Sequence, residues 1–167
     1  MNLSLKKADE SNIHSLHAIL VACGKKMHDE LDLQHWHPFM DIDTFKQSIF
    51  NKELYAVYQN QSVIATFNLS TTPHDYYHIG LWSKPGFRAL YLGQLATVPG
   101  LQRKGFGKWC LQQIEKIALE KDCQTVRFDI VAKHPWLKTF YEEMGYKPCA
   151  IVKPQQWDLL CFEKHLI

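Results

Sequence analysis

The sequence predicts an α/β fold, in detail an α+β arrangement of helices on a mixed sheet. Three observations carry that expectation. Helical and strand-like periods interleave along all 167 residues instead of falling into separate blocks. The apolar run Ala89 to Val98 halts at Pro99-Gly100, crosses a short glycine-bearing loop and enters an amphipathic run from Phe106 to about Lys121. Two apolar runs flank Asn60-Gln61, a tight turn of the kind that closes a hairpin.

Taken in order, Leu3 to Lys7 alternates weakly and predicts a first strand. Asp9 suits the N-cap of a helix burying Ile13, Leu16, Ile19, Leu20 and Cys23, with Gly24 as its stop. Lys25 to Asp41 is rich in aromatic residues and histidine and holds no single period. Asp43 predicts the N-cap of a second helix that turns Phe45, Ile49 and Phe50 inward. Leu54 to Tyr58 and Val63 to Leu69 are the hairpin strands, and the polar stretch Thr71 to Lys84 is a loop. After the strand Ala89 to Val98, the helix from Phe106 places Phe106, Cys110, Ile114 and Ile117 on one face. Thr125 to Val131 is β-rich. Pro135 fits the first turn of a helix reaching about Met144, with Gly145 as its C′ residue. Strands near Tyr146 to Val152 and Trp157 to Glu163 end the chain. The order is β-α-α-β-β-β-α-β-α-β-β. With no repeat, linker or low-complexity tract, residues 1–167 are expected to form a single domain.

Composition narrows the function. Hydrophobic residues make up 46% of the chain, an ordinary share for a globular protein. No apolar run approaches the roughly 18 residues of a membrane span, and the N-terminus lacks a signal peptide's apolar segment. A cytoplasmic protein with no membrane partner is therefore expected. A net charge of +2 is too small to suggest nucleic acid. The five cysteines, at 23, 110, 123, 149 and 161, have neither zinc-knuckle nor redox-pair spacing and read as reduced thiols. Among nine histidines, His35-x-His37 and His74-x-x-x-His78 could each offer two ligands, but neither comes with a paired cysteine or a clear third ligand. No metal is expected.

The chemistry gathers at Gln102-Arg103-Lys104-Gly105-Phe106-Gly107. A helix that opens there presents unpaired N–H groups and the positive end of its dipole. Glycine lets the backbone approach a ligand closely, and Arg103, Lys104 and Lys108 add three positive charges. Together they make a site for a phosphate or diphosphate. It is not a Walker A loop, because Trp109 follows Gly107-Lys108 where Ser or Thr is required. It is not the dinucleotide fingerprint either, because Cys110 stands at the third glycine position.

The pattern Gln-x-x-Gly-x-Gly after a strand resembles the diphosphate loop of the GCN5-related N-acetyltransferase (GNAT) family. A second stretch supports the resemblance. Phe128 to Val131 followed by Tyr141-Glu142-Glu143-Met144-Gly145-Tyr146 is similar to the family's later motif, an apolar strand and a helix ending Phe-Tyr-Glu-x-x-Gly-aromatic. Leu95-Ala96-Thr97 and Pro99 fit the lead-in strand, and Phe162-Glu163-Lys164 resembles a common last strand. The likeness covers roughly residues 87 to 147, and the element order agrees. It implies a GNAT-like acyl-CoA N-acyltransferase fold, with acetyl-CoA as cosubstrate and an amine acceptor that attacks the acetyl carbonyl directly.

Roles follow from the same resemblance. Tyr141 occupies the general-acid position near the thioester sulfur. Asp129, twelve residues earlier, stands where members that acetylate protein N-termini can carry a glutamate base; its shorter side chain suits a bridging water. The strand Ala89 to Val98, where other members place a base, holds no carboxylate. The loop Gln102 to Lys108 would hold the diphosphate mainly through backbone N–H groups. Leu95, Ala96 and Thr97 would pair by backbone with the pantetheine arm. His134 stands where the family usually has an asparagine donor to the cofactor. Trp36, Phe39, Tyr76 and Tyr77 are the expected acceptor-binding residues, in two segments that also carry Glu30, Asp32, Asp41 and Asp75. A small-molecule amine and a peptide α-amine both fit, as do a monomer and a homodimer. The alternative is a non-catalytic acyl-CoA-binding sensor.

Overall fold

A computed structural model describes residues 1–167. The elements follow the expected order. They are β1 (Leu3–Lys7), α1 (Ile13–Leu31), α2 (Ile42–Ser48), β2 (Glu53–Gln59), β3 (Ser62–Ser70), β4 (Ala89–Thr97), α3 (Phe106–Glu120), β5 (Thr125–Val131), α4 (Leu137–Glu143), β6 (Lys147–Val152) and β7 (Leu159–His165). Short 3-10 turns at Glu10–Asn12, Ile79–Leu81 and Pro99–Leu101 punctuate the connections. The strands form one mixed sheet in the order β1-β2-β3-β4-β5-β7-β6. Strand β4 pairs in parallel with β5 at Ala89–Thr125, Leu90–Val126 and Tyr91–Arg127. The pairs β1/β2, β2/β3, β5/β7 and β6/β7 are antiparallel. The chain packs as two compact units, Met1–Leu69 with Gly93–Leu111, and Ser70–Leu92 with Gln112–Ile167.

In the first unit, α1 turns Leu16, Ile19, Leu20 and Cys23 onto Phe45, Ile49, Leu54, Ala56 and Ala96. Asp9 starts it as predicted, through a capping box with Asn12 and a 3-10 turn ahead of the helix proper. Gly24 does not stop it. The helix runs on to Leu31 and ends where Asp32 takes a left-handed φ of 53° and donates its N–H to His28 O. Gly24 is instead a site of close approach: a Cβ there would lie 1.9 Å from the carbonyl oxygen of Trp36. The second helix also starts earlier than Asp43. Asp41 is its N-cap, accepting the Thr44 N–H at 2.8 Å, and Asp43 lies in the first turn. Phe50 falls beyond the helix end, so the helical period no longer turns it inward, and it is 83% exposed. The hairpin turn is as expected, with Asn60 at φ 57°.

In the second unit, β5 is buried along nearly its whole length. On one face Phe128 packs with Phe162, Tyr141 and Tyr146. Another cluster joins Tyr77, Leu81, Trp82, Val152 and Cys161. The stretch 71–84 is therefore more than a polar loop, because Leu81 and Trp82 are core residues carried by its 3-10 turn. Pro135 lies two residues ahead of α4 rather than inside its first turn. Gly145 follows the helix with φ 87°, and Tyr146 N–H returns to Tyr141 O at 3.0 Å. Strand β7 begins two residues later than predicted and reaches His165.

The close approach at Gly24 yields a prediction. Gly24→Ala should destabilise the protein by about 2 kcal/mol, because a backbone carbonyl must move to admit the methyl. Urea unfolding checks it. A gain in stability, as alanine gives in an unobstructed helix, would show that the segment around Trp36 yields freely.

Candidate active site

In the first unit the chain leaves β4 at Thr97, makes the turn Pro99–Leu101 and reaches Gln102 in extended conformation. Arg103 at φ 62° and Gly105 at φ 90° then turn it sharply into α3. Trp109 N–H bonds to Gly105 O at 3.1 Å, so by helix geometry the N–H groups of Phe106, Gly107 and Lys108 face out of the helix end. Arg103, Lys104, Gly105 and Lys108 are exposed, Gly107 is half-buried, and Phe106 is buried and anchors the helix. A Cβ on Gly105 would meet Met1 Cε at 3.7 Å, an ordinary contact with the end of a flexible side chain, and no other atom within 4 Å. Turned N–H groups, a helix dipole and basic side chains fit a diphosphate.

The side chain of Gln102 points back into the fold. Its Nε2 donates to Thr97 O at 3.2 Å and to Cys23 Sγ at 3.7 Å, and its Oε1 accepts from Lys26 Nζ at 3.1 Å. The Cys23 thiol also donates to Thr97 O, at 3.1 Å. Burial pushes that thiol up to about 11, against the pull of Lys26 and Gln102, so it stays protonated. The carbonyl of Thr97 thus already holds two donors. Upstream, Gln94 sits at φ 51° in mid-strand, the mark of a bulge, with its Oε1 accepting from Asn68 Nδ2 at 3.0 Å. Leu95 is half-buried, and Ala96 and Thr97 are buried. Trp36 and Phe39 pack on the core of this unit, their rings 6.0 Å apart, with Phe39 also against His17 and Phe45.

In the second unit Asp129 lies on β5, and two phenols converge on it. Tyr76 and Tyr77 donate to Asp129 Oδ2 at 2.9 and 2.5 Å. Burial first, then the charge of Asp129 and the hydrogen bonds to it, push both phenols far above their ordinary value. They are O–H donors and not bases. Tyr77 is buried, Tyr76 half-buried, and His74 stacks on Tyr76 at 4.8 Å.

Two residues earlier, on the same face, Arg127 is buried at 2% exposure beside Glu163 at 4%. The pair tethers the chain just after Tyr76 and Tyr77. Arg127 Nη2 donates to Lys84 O at 2.8 Å and its guanidinium lies over the Trp82 ring at 4.7 Å. Glu163 Oε1 accepts the Ser83 N–H at 2.8 Å, and Arg127 Nε faces Glu163 Oε2 at 3.6 Å.

Tyr141, on α4, is 6% exposed, its ring 4.5 Å from Phe128 and 5.7 Å from Phe162. Phe128 and Asp129 are adjacent on β5, so Tyr141 and the two phenols approach that strand from opposite faces. His134 follows β5. Its Nδ1 accepts the Trp136 N–H at 3.3 Å, and burial lowers its pKa from the ordinary 6.5. A neutral ring with Nδ1 accepting carries its proton on Nε2, which is then a donor. No group of three or more His, Cys, Asp or Glu side chains lies together as a metal ion needs. No helix is long and apolar enough to cross a membrane.

Sequence reading did not find Lys26, Asn68, the turn at Gln94, or the Arg127–Glu163 anchor. Only the last left a signal: a charged residue inside each of two apolar runs.

A model of the GNAT acetyltransferase family matches residues 13–146. A search of curated proteins found no match. Solved structures of similar fold include a spermidine N-acetyltransferase chimera of Vibrio cholerae SpeG and hSSAT, 13% identical over 99% of this chain and 96% of that one, with a TM-score of 0.70. A ribosomal-protein-alanine N-acetyltransferase from Brucella melitensis is 15% identical over 98% and 99%, at 0.68. A GNAT family acetyltransferase from Elizabethkingia anophelis with acetyl-CoA bound is 15% identical over 99% of both chains, also at 0.68.

The anchor generates the next prediction. Burial raises the pKa of Glu163, but the Ser83 hydrogen bonds, with His165 and Arg127, outweigh it and leave the pKa below the ordinary 4.5. A depressed carboxyl stabilises the fold above its unfolded pKa and loses that contribution as pH falls through the folded one. Glu163→Gln should cost about 3–5 kcal/mol at neutral pH, because Arg127 stays buried without its counterion. It should also flatten the loss of stability below about pH 4.5. Urea titrations of both proteins across the acid range check this; parallel acid profiles would remove Glu163 from the account.

Proposed function

The chain belongs to the GNAT acetyltransferase family, and on that premise we propose that it is an N-acetyltransferase, a single catalytic domain over residues 1–167. It transfers an acetyl group from acetyl-CoA to a primary amine of a small molecule or peptide. The observation that carries the reading is the passage from β4 into α3, with left-handed Arg103 and Gly105 turning the backbone into an exposed, basic helix start. There the outward N–H groups of Phe106, Gly107 and Lys108 hold the diphosphate, with Arg103 and Lys104 adding charge. Leu95 and Ala96 offer backbone to the pantetheine arm, and His134 donates through Nε2.

The acceptor attacks as the neutral amine. Its nitrogen forms the bond to the acetyl carbon, the C–S bond breaks, and the proton lost from nitrogen passes to Asp129, directly or through a water. The hydroxyl of Tyr141 returns a proton to the departing sulfur. Tyr76 and Tyr77 hold the carboxylate of Asp129 in place, and Trp36 and Phe39 offer an apolar surface to the acceptor. Two proteins of this fold are named for acceptors as unlike as spermidine and a ribosomal-protein alanine, so the acceptor is a matter of local residues. The free state of all five cysteines suits a reducing compartment such as the cytoplasm.

Thiol release from acetyl-CoA, with a panel of polyamines, aminoglycosides, amino acids and short peptides, tests the reading. Turnover with one class supports it and names the acceptor. Calorimetric binding of CoA without turnover on any member would favour the acyl-CoA sensor.

Two variants probe the chemistry. Tyr141→Phe should lower kcat about 100-fold while CoA affinity holds, since the ring and its packing survive. Loss of affinity in step with rate would make Tyr141 a core residue only. Asp129→Asn keeps an oxygen for the two phenols and removes the charge. It should lower kcat about 100-fold with CoA affinity unchanged, whereas an unchanged kcat would assign the base elsewhere.

A further inference from the structure

We propose that Lys26, from α1, is a diphosphate-binding cation of the acetyl-CoA site. The inference rests on the proposed function, since it needs a cosubstrate that carries phosphate. Lys26 precedes the loop by 76 residues, yet its Nζ lies 3.1 Å from Gln102 Oε1, at the loop's first position. It is half-buried, where Arg103, Lys104 and Lys108 are exposed.

The partner that the fold gives Lys26 is a neutral amide oxygen. The acid nearest along the helix, Asp29, is engaged by Lys25 and His28. An ammonium carries three donors, and the contact to Gln102 uses one. A half-buried cation whose partner is a neutral oxygen, on the first residue of the loop that leads into the helix start, keeps two donors for an anion. Gln102 cannot swing away to change this, because its Nε2 is tied to Thr97 O and Cys23 Sγ. Its Oε1 is thereby aimed at Lys26. Lys26 is thus pre-placed and loses less freedom on binding than the exposed lysines of the loop.

The rival reading is a strut: Lys26 merely orients Gln102. Lys26→Met separates the two, because it keeps the apolar stem and removes the charge. Calorimetry with CoA and with dephospho-CoA, which retains the diphosphate, should show both bound about tenfold more weakly, the scale of one charge-assisted hydrogen bond. In the thiol-release assay, kcat/KM should fall about tenfold more with acetyl-CoA than with S-acetylpantetheine, which has no phosphate. Lys26→Arg should recover most of the affinity. Equal loss with both acetyl donors would make Lys26 a strut and overturn the proposal. So would a loss confined to CoA, which would move Lys26 to the 3′-phosphate, or an affinity that does not change. Wild-type protein that binds no CoA would overturn the proposed function itself, a result distinct from a failure of Lys26 alone.

Discussion

Strand β5 is buried on both faces, and that constraint shapes most of the second unit. A polar side chain on such a strand must find its partner inside the protein. Arg127 finds Glu163, its register neighbour on β7, and the carbonyl of Lys84. Asp129 finds the hydroxyls of Tyr76 and Tyr77. Arg127 and Asp129 are two residues apart and share a face, so one segment, 76–84, serves both. This explains why a stretch with a single 3-10 turn is held in place. Ordering each backbone residue costs about 1–2 kcal/mol, and hydrogen bonds to charged groups, at about 1.5–3 kcal/mol each, offset much of it.

The same burial sorts the groups by what they can exchange. Next to Asp129, burial and charge keep both phenols protonated, and burial pushes the thiols of Cys149 and Cys161 up to about 12. On that face a proton acceptor at neutral pH is therefore sought in Asp129 or in a water that it holds. Tyr141 lies across the strand, against Phe128 and Phe162. In the proposed reaction the proton taken from the amine and the proton given to sulfur are handled on separate faces of β5, so neither transfer competes for the other's group.

Much of this fold was legible in the sequence, because its signals are local. The element order, the hairpin at Asn60 and the span Thr125–Val131 follow from period and turn chemistry alone. The errors share one cause, which is packing that overrides local preference. Gly24 was read as a stop because glycine is a poor helix former, but it is present because the carbonyl of Trp36 crosses the helix there. Asp43 was read as a cap, yet Asp41, two residues earlier, reaches the Thr44 N–H. Of the candidate site, the loop and the Tyr141 helix were visible as motifs. The two phenols on Asp129, the Arg127–Glu163 anchor and the Lys26 contact join residues 36 to 76 positions apart, and no period spans such distances.

A motif also mixes residues that face a ligand with residues that face the fold, and the letters alone do not separate them. Gln102 is the clear case. As the first letter of Gln-x-x-Gly-x-Gly it reads as a ligand contact, yet its side chain is engaged with Thr97, Cys23 and Lys26. The consequence reaches into β4. A carbonyl already holding two donors is a poor partner for an added strand, so the proposed pantetheine pairing falls to Leu95 and Ala96. Next to them Gln94, at φ 51°, interrupts the regular strand. A bulge leaves backbone groups outside the ladder, and a ligand that pairs like a strand requires such groups. On this account the amide of Gln102 holds the end of β4 in shape, while the backbone on either side of it, at 95–96 and 106–108, is left to meet the cosubstrate.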